Sequence, residues 1–285
     1  MITFAAVKLS QQMEKYNTIS KWVGALPKAG KNFFTQNDVE KQFSAMNVSS
    51  IRNALYRLSR KGTIQSVWHG FYVIVLPEYG FKGVVPPTEY IDQLMKYLGR
   101  EYYVGLLNAA AFQGAAHQQP QTFSVVVDTN NLRGKIKKGV KINFVAKKHI
   151  PVRYVKQLTT RNGYINISIP ELTALDLLLY AREIGGINRA STILNELAEV
   201  MDFENIESDF LRYFNSAVIQ RLGYILDDVL EYKKLADTLY QKATEAGIKF
   251  RKYPLKVVSR GSNFSGYCTN EKWKIIINEE IDIDE

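Results

Sequence analysis

Residues 49–61 concentrate hydroxyl, amide, guanidinium and ammonium groups and contain no carboxylate. Side chains of these types bond the phosphate oxygens of nucleic acids, and arginine and asparagine also suit base edges in the major groove. The pattern therefore favours nucleic-acid binding over a merely solvated charged face. The candidate DNA-binding residues are Ser49, Ser50, Arg52, Asn53, Tyr56, Arg57, Arg60 and Lys61, with His69 from the segment that follows.

The spacing of apolar residues predicts the helices that position this set. Between residues 48 and 58, apolar side chains recur at three- and four-residue spacing, which indicates a helix with one buried face. These apolar residues are Val48, Ile51, Leu55 and Leu58. An earlier helix is predicted to begin at the Thr35-Gln36-Asn37-Asp38 box, in which each end can bond a free backbone N–H. The polar residues 44–47 separate the two helices.

Two runs rich in β-branched and aromatic residues, 63–68 and 71–75, flank His69-Gly70. A residue followed by glycine between two such runs is typical of a tight β-hairpin, because glycine adopts positive φ without strain. Two short helices followed by a hairpin predict a winged helix-turn-helix. The alternative is a winged-helix scaffold that makes only protein contacts.

The winged helix predicts how the residues would meet a duplex. The second helix enters the major groove with Arg52, Asn53 and Tyr56 nearest the bases, and the hairpin tip places His69 at the backbone or the minor groove. The remaining residues of the set, Ser49, Ser50, Arg57, Arg60 and Lys61, are expected to hold phosphates.

The chain has a net charge of +9 and contains three zones of different charge. Residues 1–76 hold ten basic residues against three acids, and residues 129–170 hold ten basic residues and no acid. Residues 171–248 reverse the sign, with fourteen acids against seven basic residues. Because basic surfaces attract polyanions, the second zone predicts a further surface for DNA, RNA or a protein partner. Its residues are Arg133, Lys135, Lys137, Lys138, Lys141, Lys147, Lys148 and Arg153.

Composition sets broader limits. The chain has 285 residues, 46% of them hydrophobic, which allows two globular domains. A single cysteine, Cys268, predicts a reducing compartment. No apolar run reaches the roughly 20 residues that span a bilayer, and no signal peptide is recognisable. We therefore expect a cytoplasmic protein that uses no cofactor and does not bind membranes.

Turn-forming residues between 76 and 87 predict a domain boundary. The expected fold class is α+β, with a winged helix-turn-helix domain at 1–78 and a larger mixed α/β domain at 79–285 whose final third is helical. The predicted helices are 13–26, 89–98, 102–116, a helix beginning at 170, 187–201, 209–222 and 226–246. The predicted strands outside the winged helix are 122–127, 140–146, 164–169, 255–258 and 273–277.

One set of residues raises an enzymatic alternative. Gly261-Ser262 followed by Asp282 and Asp284 resembles the Gly-Ser and Asp-x-Asp pattern of nucleotidyltransferases, in which carboxylates hold metal ions. The two parts lie too far apart in this chain, and a strand rather than a helix is predicted between them. His117 has no second ligand at metal spacing and is interpreted as structural. The sequence therefore predicts no catalytic residue and no metal site.

Several blocks together carry a family resemblance. They read RNALYRL at 52–58, KG at 61–62, GFY at 70–72, YLGREYYVGLL at 97–107, GAAHQ at 114–118 and PQ at 120–121. In these blocks the chain resembles the AbiEi family of antitoxins from type IV toxin–antitoxin systems, which act in abortive infection and phage defence. The resemblance covers the winged helix and the start of the second domain well, and the helical final third loosely.

The resemblance implies a non-enzymatic repressor that binds inverted repeats in the promoter DNA of its own operon. It also implies a C-terminal domain that counteracts a cognate nucleotidyltransferase-like toxin, with or without a stable complex. Two alternatives stay open. One is a winged-helix transcriptional regulator without a toxin partner, and the other is a metal-dependent nucleotidyltransferase or nuclease that uses Asp282 and Asp284.

Overall fold

The computed structural model of the chain describes residues 16–81, 83–115, 120–129, 131–132, 134–137, 140–259 and 261–283. These residues form two compact units. The first extends to Arg100 and includes residues 135–141 and 159–165, and the second contains the remainder. Helices and several sheets are both present, which confirms the α+β class. Along the chain, the first unit gives way to the second between Arg100 and Glu101. The domain boundary expected after residue 78 stays a prediction.

The first unit combines short helices with a three-stranded sheet. The order of strands in the sheet is β1-β3-β2, with both pairings antiparallel. The arrangement is compatible with a winged helix-turn-helix. Its elements are α1 (Ile19–Ala25), β1 (Phe33–Thr35), α2 (Gln36–Gln42), α3 (Val48–Arg60), β2 (Ile64–Trp68), β3 (Phe71–Ile74), α4 (Pro77–Gly80) and α5 (Ile91–Leu98).

Local sequence signals explain where α2 and α3 begin. Thr35 and Asp38 form the capping box at α2, each side chain bonding the backbone N–H of the other. Asn47 caps α3 by accepting a hydrogen bond from the Ser50 N–H at 2.7 Å. Asn47 lies in the predicted polar break, and asparagine directly before a periodic apolar run is itself a helix-start signal.

The hydrophobic core of the first unit lies beneath α3. Ile51 and Leu55 are each 1% exposed and pack in one cluster with Val23 of α1 and Phe34 of β1. The prediction that Val48 belongs to this buried face is wrong, because its side chain is 45% exposed. Val48 is the first residue of the helix and lies beyond the part of α3 that the core covers.

A larger sheet is formed by six strands between residues 102 and 168, and most of the helices of the second unit follow it in the chain. The six strands lie in the order β6-β7-β5-β4-β9-β8. They are β4 (Tyr102–Val104), β5 (Thr122–Val127), β6 (Lys135–Lys137), β7 (Val140–Ala146), β8 (Val155–Thr160) and β9 (Gly163–Ser168). The helices are α6 (Leu106–Phe112), α7 (Pro170–Leu179), α8 (Ala181–Ile184), α9 (Ile187–Leu197), α10 (Ser216–Tyr224) and α11 (Lys233–Glu245).

The predicted helix over 102–116 is wrong in its first part. Residues Tyr102–Val104 form β4, which pairs antiparallel with β5 and parallel with β9. All three residues are buried. A short apolar run buried on both faces carries no period that separates a strand from a helix, so only its partners in the sheet decide its conformation.

The predicted helix over 226–246 is also wrong, because two elements occupy this range. A π-helical turn, Ile225–Val229, continues α10, and α11 starts only at Lys233. Glu231 lies between them with φ of 60°, a left-handed conformation that interrupts a helix. Three short strands, β10 (Tyr253–Pro254), β11 (Thr269–Asn270) and β12 (Ile275–Ile276), form a sheet near the end of the chain.

None of the described helices is both long enough and apolar enough to cross a membrane.

Candidate nucleic-acid interface

The face of α3 opposite the core carries the predicted contact residues. Arg52, Asn53, Arg57 and Arg60 are exposed, and the side chain of Tyr56 is 63% exposed. The helix is thus anchored by its apolar side and presents a continuous polar and cationic side. The structure brings these residues together on one face as the spacing predicted.

The two ends of α3 supply further groups of the predicted set. Ser49 is exposed and its hydroxyl donates to Asn47 Oδ1 at 2.9 Å, and Ser50 is half-buried at the capped first turn. The start of a helix attracts anions because its N–H groups and dipole point outward. Lys61 is exposed at the opposite end, where it forms the C-cap.

The cations of α3 carry no neutralising partner within the described part of the chain. No carboxylate forms an ion pair with Arg52, Arg57 or Arg60 there, and the helix itself contains no acid. Arg52 also acts on the neighbouring hairpin. Burial raises the pKa of the Tyr72 hydroxyl on β3, and the Arg52 guanidinium opposes that rise. The positive charge of α3 therefore reaches Tyr72 on β3.

The hairpin presents His69 at its tip, where the side chain is exposed. Its backbone carbonyl accepts a hydrogen bond from the Tyr97 hydroxyl at 3.2 Å, and the ring of Tyr97 lies 5.4 Å from that of Phe71. Gly70 has φ of +71°, and a Cβ there would stand 2.8 Å from Tyr97 Oη. Tyr97, which the sequence analysis did not select, thus fixes the position of His69 from α5.

The second basic surface is not a single set of exposed residues, and the prediction is wrong for Lys147. Its side chain is 6% exposed and its Nζ lies 2.6 Å from Asp176 Oδ1 and 4.0 Å from the centre of the Phe214 ring. The Tyr103 hydroxyl donates to the other Asp176 oxygen. Burial raises the pKa of Asp176, while Lys147 and Tyr103 act against that rise. Lys147 is therefore part of the core.

The other residues of the second basic surface differ among themselves. Arg153 is exposed but forms an ion pair with Glu207. Lys141 and Lys148 are exposed. Arg133 and Lys138 lie outside the described residues, and Lys135 and Lys137 belong to β6 with only their backbone described.

The enzymatic alternative depends on Gly261-Ser262 and on the two aspartates Asp282 and Asp284. Gly261 adopts φ of +88° and the Ser262 hydroxyl donates to the Ser259 carbonyl in an exposed turn. Asp282 is exposed, and Asp284 lies outside the described residues, as does His117. Across the described ranges, no group of three or more histidine, cysteine, aspartate or glutamate residues could hold a metal ion.

Part of the chain matches a known protein family. Residues 103–228 match the family model of the AbiEi antitoxin C-terminal domain. No curated protein sequence gave a significant match.

A solved structure matches over nearly the whole chain. The crystal structure of the RV2827C protein from Mycobacterium tuberculosis superposes with a TM-score of 0.61 at 12% sequence identity and covers 90% of each chain. At this identity the likeness concerns the fold alone.

Proposed function

Because residues 103–228 make this chain a member of the AbiEi antitoxin family, we propose that it is a DNA-binding antitoxin that represses its own operon. Its target would be inverted repeats in promoter DNA, bound through α3 and the β2–β3 hairpin. Its second function is to counteract a nucleotidyltransferase-like toxin. Both functions go beyond the family match.

One observation supports DNA binding above the others. The same helix buries Ile51, Leu55 and Leu58 and exposes an acid-free face with three arginines, none of which has a carboxylate partner in the described part of the chain. A solvated structural helix gains from mixed charges on its surface, whereas a helix that docks on phosphates gains from unpaired cations. The free arginines therefore favour a polyanionic partner.

Each side chain takes a role from its place on α3. Arg52 and Asn53 occupy the second turn of α3 and Tyr56 the third, on the exposed face with which a recognition helix contacts base edges in the major groove. Residues at the ends of the helix and at the hairpin tip hold the backbone of the duplex: Ser49, Ser50, Arg57, Arg60, Lys61 and His69.

A gel-shift titration tests DNA binding. The full chain is titrated against its own promoter DNA and against unrelated DNA of equal length at one fixed salt concentration. We expect the promoter to bind more tightly, and the double variant Arg52→Ala, Asn53→Ala to lose most of that preference because both base contacts are removed.

A matched control separates the loss of specific DNA contacts from the loss of one positive charge. Lys28 is exposed in the first unit outside α3, so Lys28→Ala removes one positive charge away from the proposed interface. This variant should bind the promoter as the unmodified chain does. Equal promoter affinity for the double variant and the unmodified chain would rule out α3 as the recognition helix.

Co-expression tests the antitoxin function separately. If the adjacent gene encodes a nucleotidyltransferase, its expression alone should stop growth, and co-expression with this chain should restore growth. The double variant of α3 should restore growth equally well and yet fail to repress a promoter fusion. Growth arrest that the unmodified chain does not relieve would favour a regulator without this toxin as its partner.

A further inference from the structure

A cavity in the second unit is lined by more cations than carboxylates. It opens between the start of α9, the helix α10 and the segment after β10, with a volume of about 370 Å³. Its charged and polar lining residues are Arg182, Asn188, Arg221, Lys256 and Glu279, next to Gly186 at the start of α9. None of these residues belongs to the proposed DNA interface.

Among the charged residues that line the cavity, Arg221 is buried. Its side chain is only 9% exposed, yet in the described part of the chain it forms no ion pair with a carboxylate. Its Nε and Nη2 atoms both donate to a single backbone carbonyl, that of Pro254, at 3.1 and 2.9 Å. Burial lowers the pKa of this guanidinium. A buried cation normally has an anionic partner because its desolvation is costly, so Arg221 lacks the partner that it would be expected to have.

The start of α9 also favours an anionic ligand. This helix has eleven residues, and its N-cap is Gly186, which contributes no capping side chain. Gly185 and Gly186 adopt φ of +105° and +102°, conformations that favour glycine and let the chain turn sharply into the helix. The N–H groups of a first helical turn have no intrahelical acceptor, and together with the helix dipole they bind phosphate groups.

The remaining charged groups of the cavity also favour an anionic ligand. Arg182 is exposed at the cavity, and Lys256 is paired there with Glu279 at 2.8 Å. The cavity thus holds three cations against one carboxylate.

We propose that this cavity binds the phosphate group of a small phosphate ester of nucleotide size. The first turn of α9 and Arg221 hold the phosphate, with Arg182 at the entrance. Leu178 and Leu255 provide apolar walls for the remainder of the ligand. The volume lies within the range typical of small-molecule sites and exceeds what a bare phosphate fills.

Titration calorimetry of the full chain in phosphate-free buffer of constant ionic strength tests this site. The probes are adenosine 5′-monophosphate, inorganic phosphate and adenosine. We expect saturable binding of the monophosphate and no binding of adenosine. Comparable binding of inorganic phosphate would identify free phosphate as the ligand, whereas tighter binding of the monophosphate would identify an ester.

Two variants locate the binding. Arg221→Gln should weaken monophosphate binding by about ten- to a hundredfold, as expected when a charge-assisted hydrogen bond is lost. Arg182→Ala alters an exposed residue, so it tests the site even if Arg221→Gln fails to fold, and it should weaken binding by about fivefold. Lys249→Ala removes an exposed cation of the same unit outside the cavity and should have no effect.

The inference is overturned if neither phosphate compound binds at millimolar concentration, or if Arg182→Ala and a folded Arg221→Gln bind as the unmodified chain does. Promoter binding by α3 does not depend on these residues, so a gel shift on the same samples shows whether a failure concerns the cavity alone.

Discussion

Two basic stretches of similar sequence character have different structural roles. On α3, Arg52, Arg57 and Arg60 are exposed and have no carboxylate partner in the described part of the chain. In the second zone, Lys147 is buried against Asp176 and Arg153 is paired with Glu207. Both stretches look equally cationic in the sequence.

The difference lies in where the neutralising acids are. No acid occurs within α3, and none from elsewhere in the described residues reaches its arginines. The second zone also contains no acid of its own, but Asp176 and Glu207 reach it from later segments of the chain. A local charge count therefore identifies a binding surface only if distant carboxylates stay away from it.

The largest expected effect is on stability, from Lys147→Met. This change leaves Asp176 buried with only the Tyr103 hydroxyl as a partner, and we expect the free energy of unfolding to fall by about 3–5 kcal/mol. Urea denaturation followed by circular dichroism measures the change. The double variant Lys147→Met, Asp176→Leu removes the buried charge as well and should recover most of the loss. An unchanged urea midpoint for the single variant would show that Lys147 is not buried and belongs to the second basic surface.

Asn53→Ala should have the next largest effect, on DNA recognition rather than on stability. Losing one base contact should cost about 1–3 kcal/mol of promoter affinity and relax the preference at one base pair. Competition gel shifts with single-base promoter variants measure this preference. If affinity falls equally for every competitor, Asn53 contacts the backbone and not a base.

Arg57→Ala tests the proposed phosphate contact. We expect binding to weaken by a similar factor for promoter and unrelated DNA, and the slope of log affinity against log salt to decrease by about 1. Titrations at several salt concentrations give this slope. Lys28→Ala should retain the original slope, and a retained slope in Arg57→Ala would contradict the contact.

The smallest effect is expected from Arg153→Ala. Its ion pair with Glu207 is exposed on both sides, and such pairs contribute about 0–1 kcal/mol. Urea denaturation and a promoter gel shift should both give values near those of the unmodified chain. A strong loss of DNA affinity would instead show that Arg153 acts at a nucleic-acid surface, and would make the two stretches alike.

The elements around α3 were predictable because their signals are local. Each signal involves residues that are close together in the sequence. The signals are the capping pair Thr35 and Asp38, the apolar period through Ile51 and Leu55, and the glycine at position 70. The exposed face of α3 follows directly from that period. Val48 departed from it because the first turn extends past the core.

The features that sequence analysis missed depend on partners far along the chain. The strands Phe33–Thr35 and Tyr102–Val104 have three residues each and are defined only by their pairing with β3, β5 and β9. Lys147 and Asp176 are 29 positions apart. Glu231 interrupts a helix without the glycine or proline that usually signals an end. The cavity at Arg221 likewise needs α9, α10 and β10 in place.

The contact of Tyr97 with the hairpin tip has a consequence for the affinity of the proposed DNA binding. A hairpin that moves freely must be immobilised when it meets a ligand, and the lost conformational entropy weakens binding. The Tyr97 hydroxyl and its ring on Phe71 already hold the turn at His69 in one geometry. Loosening this anchor with Tyr97→Leu would leave every residue proposed to contact DNA unchanged, yet DNA affinity should fall.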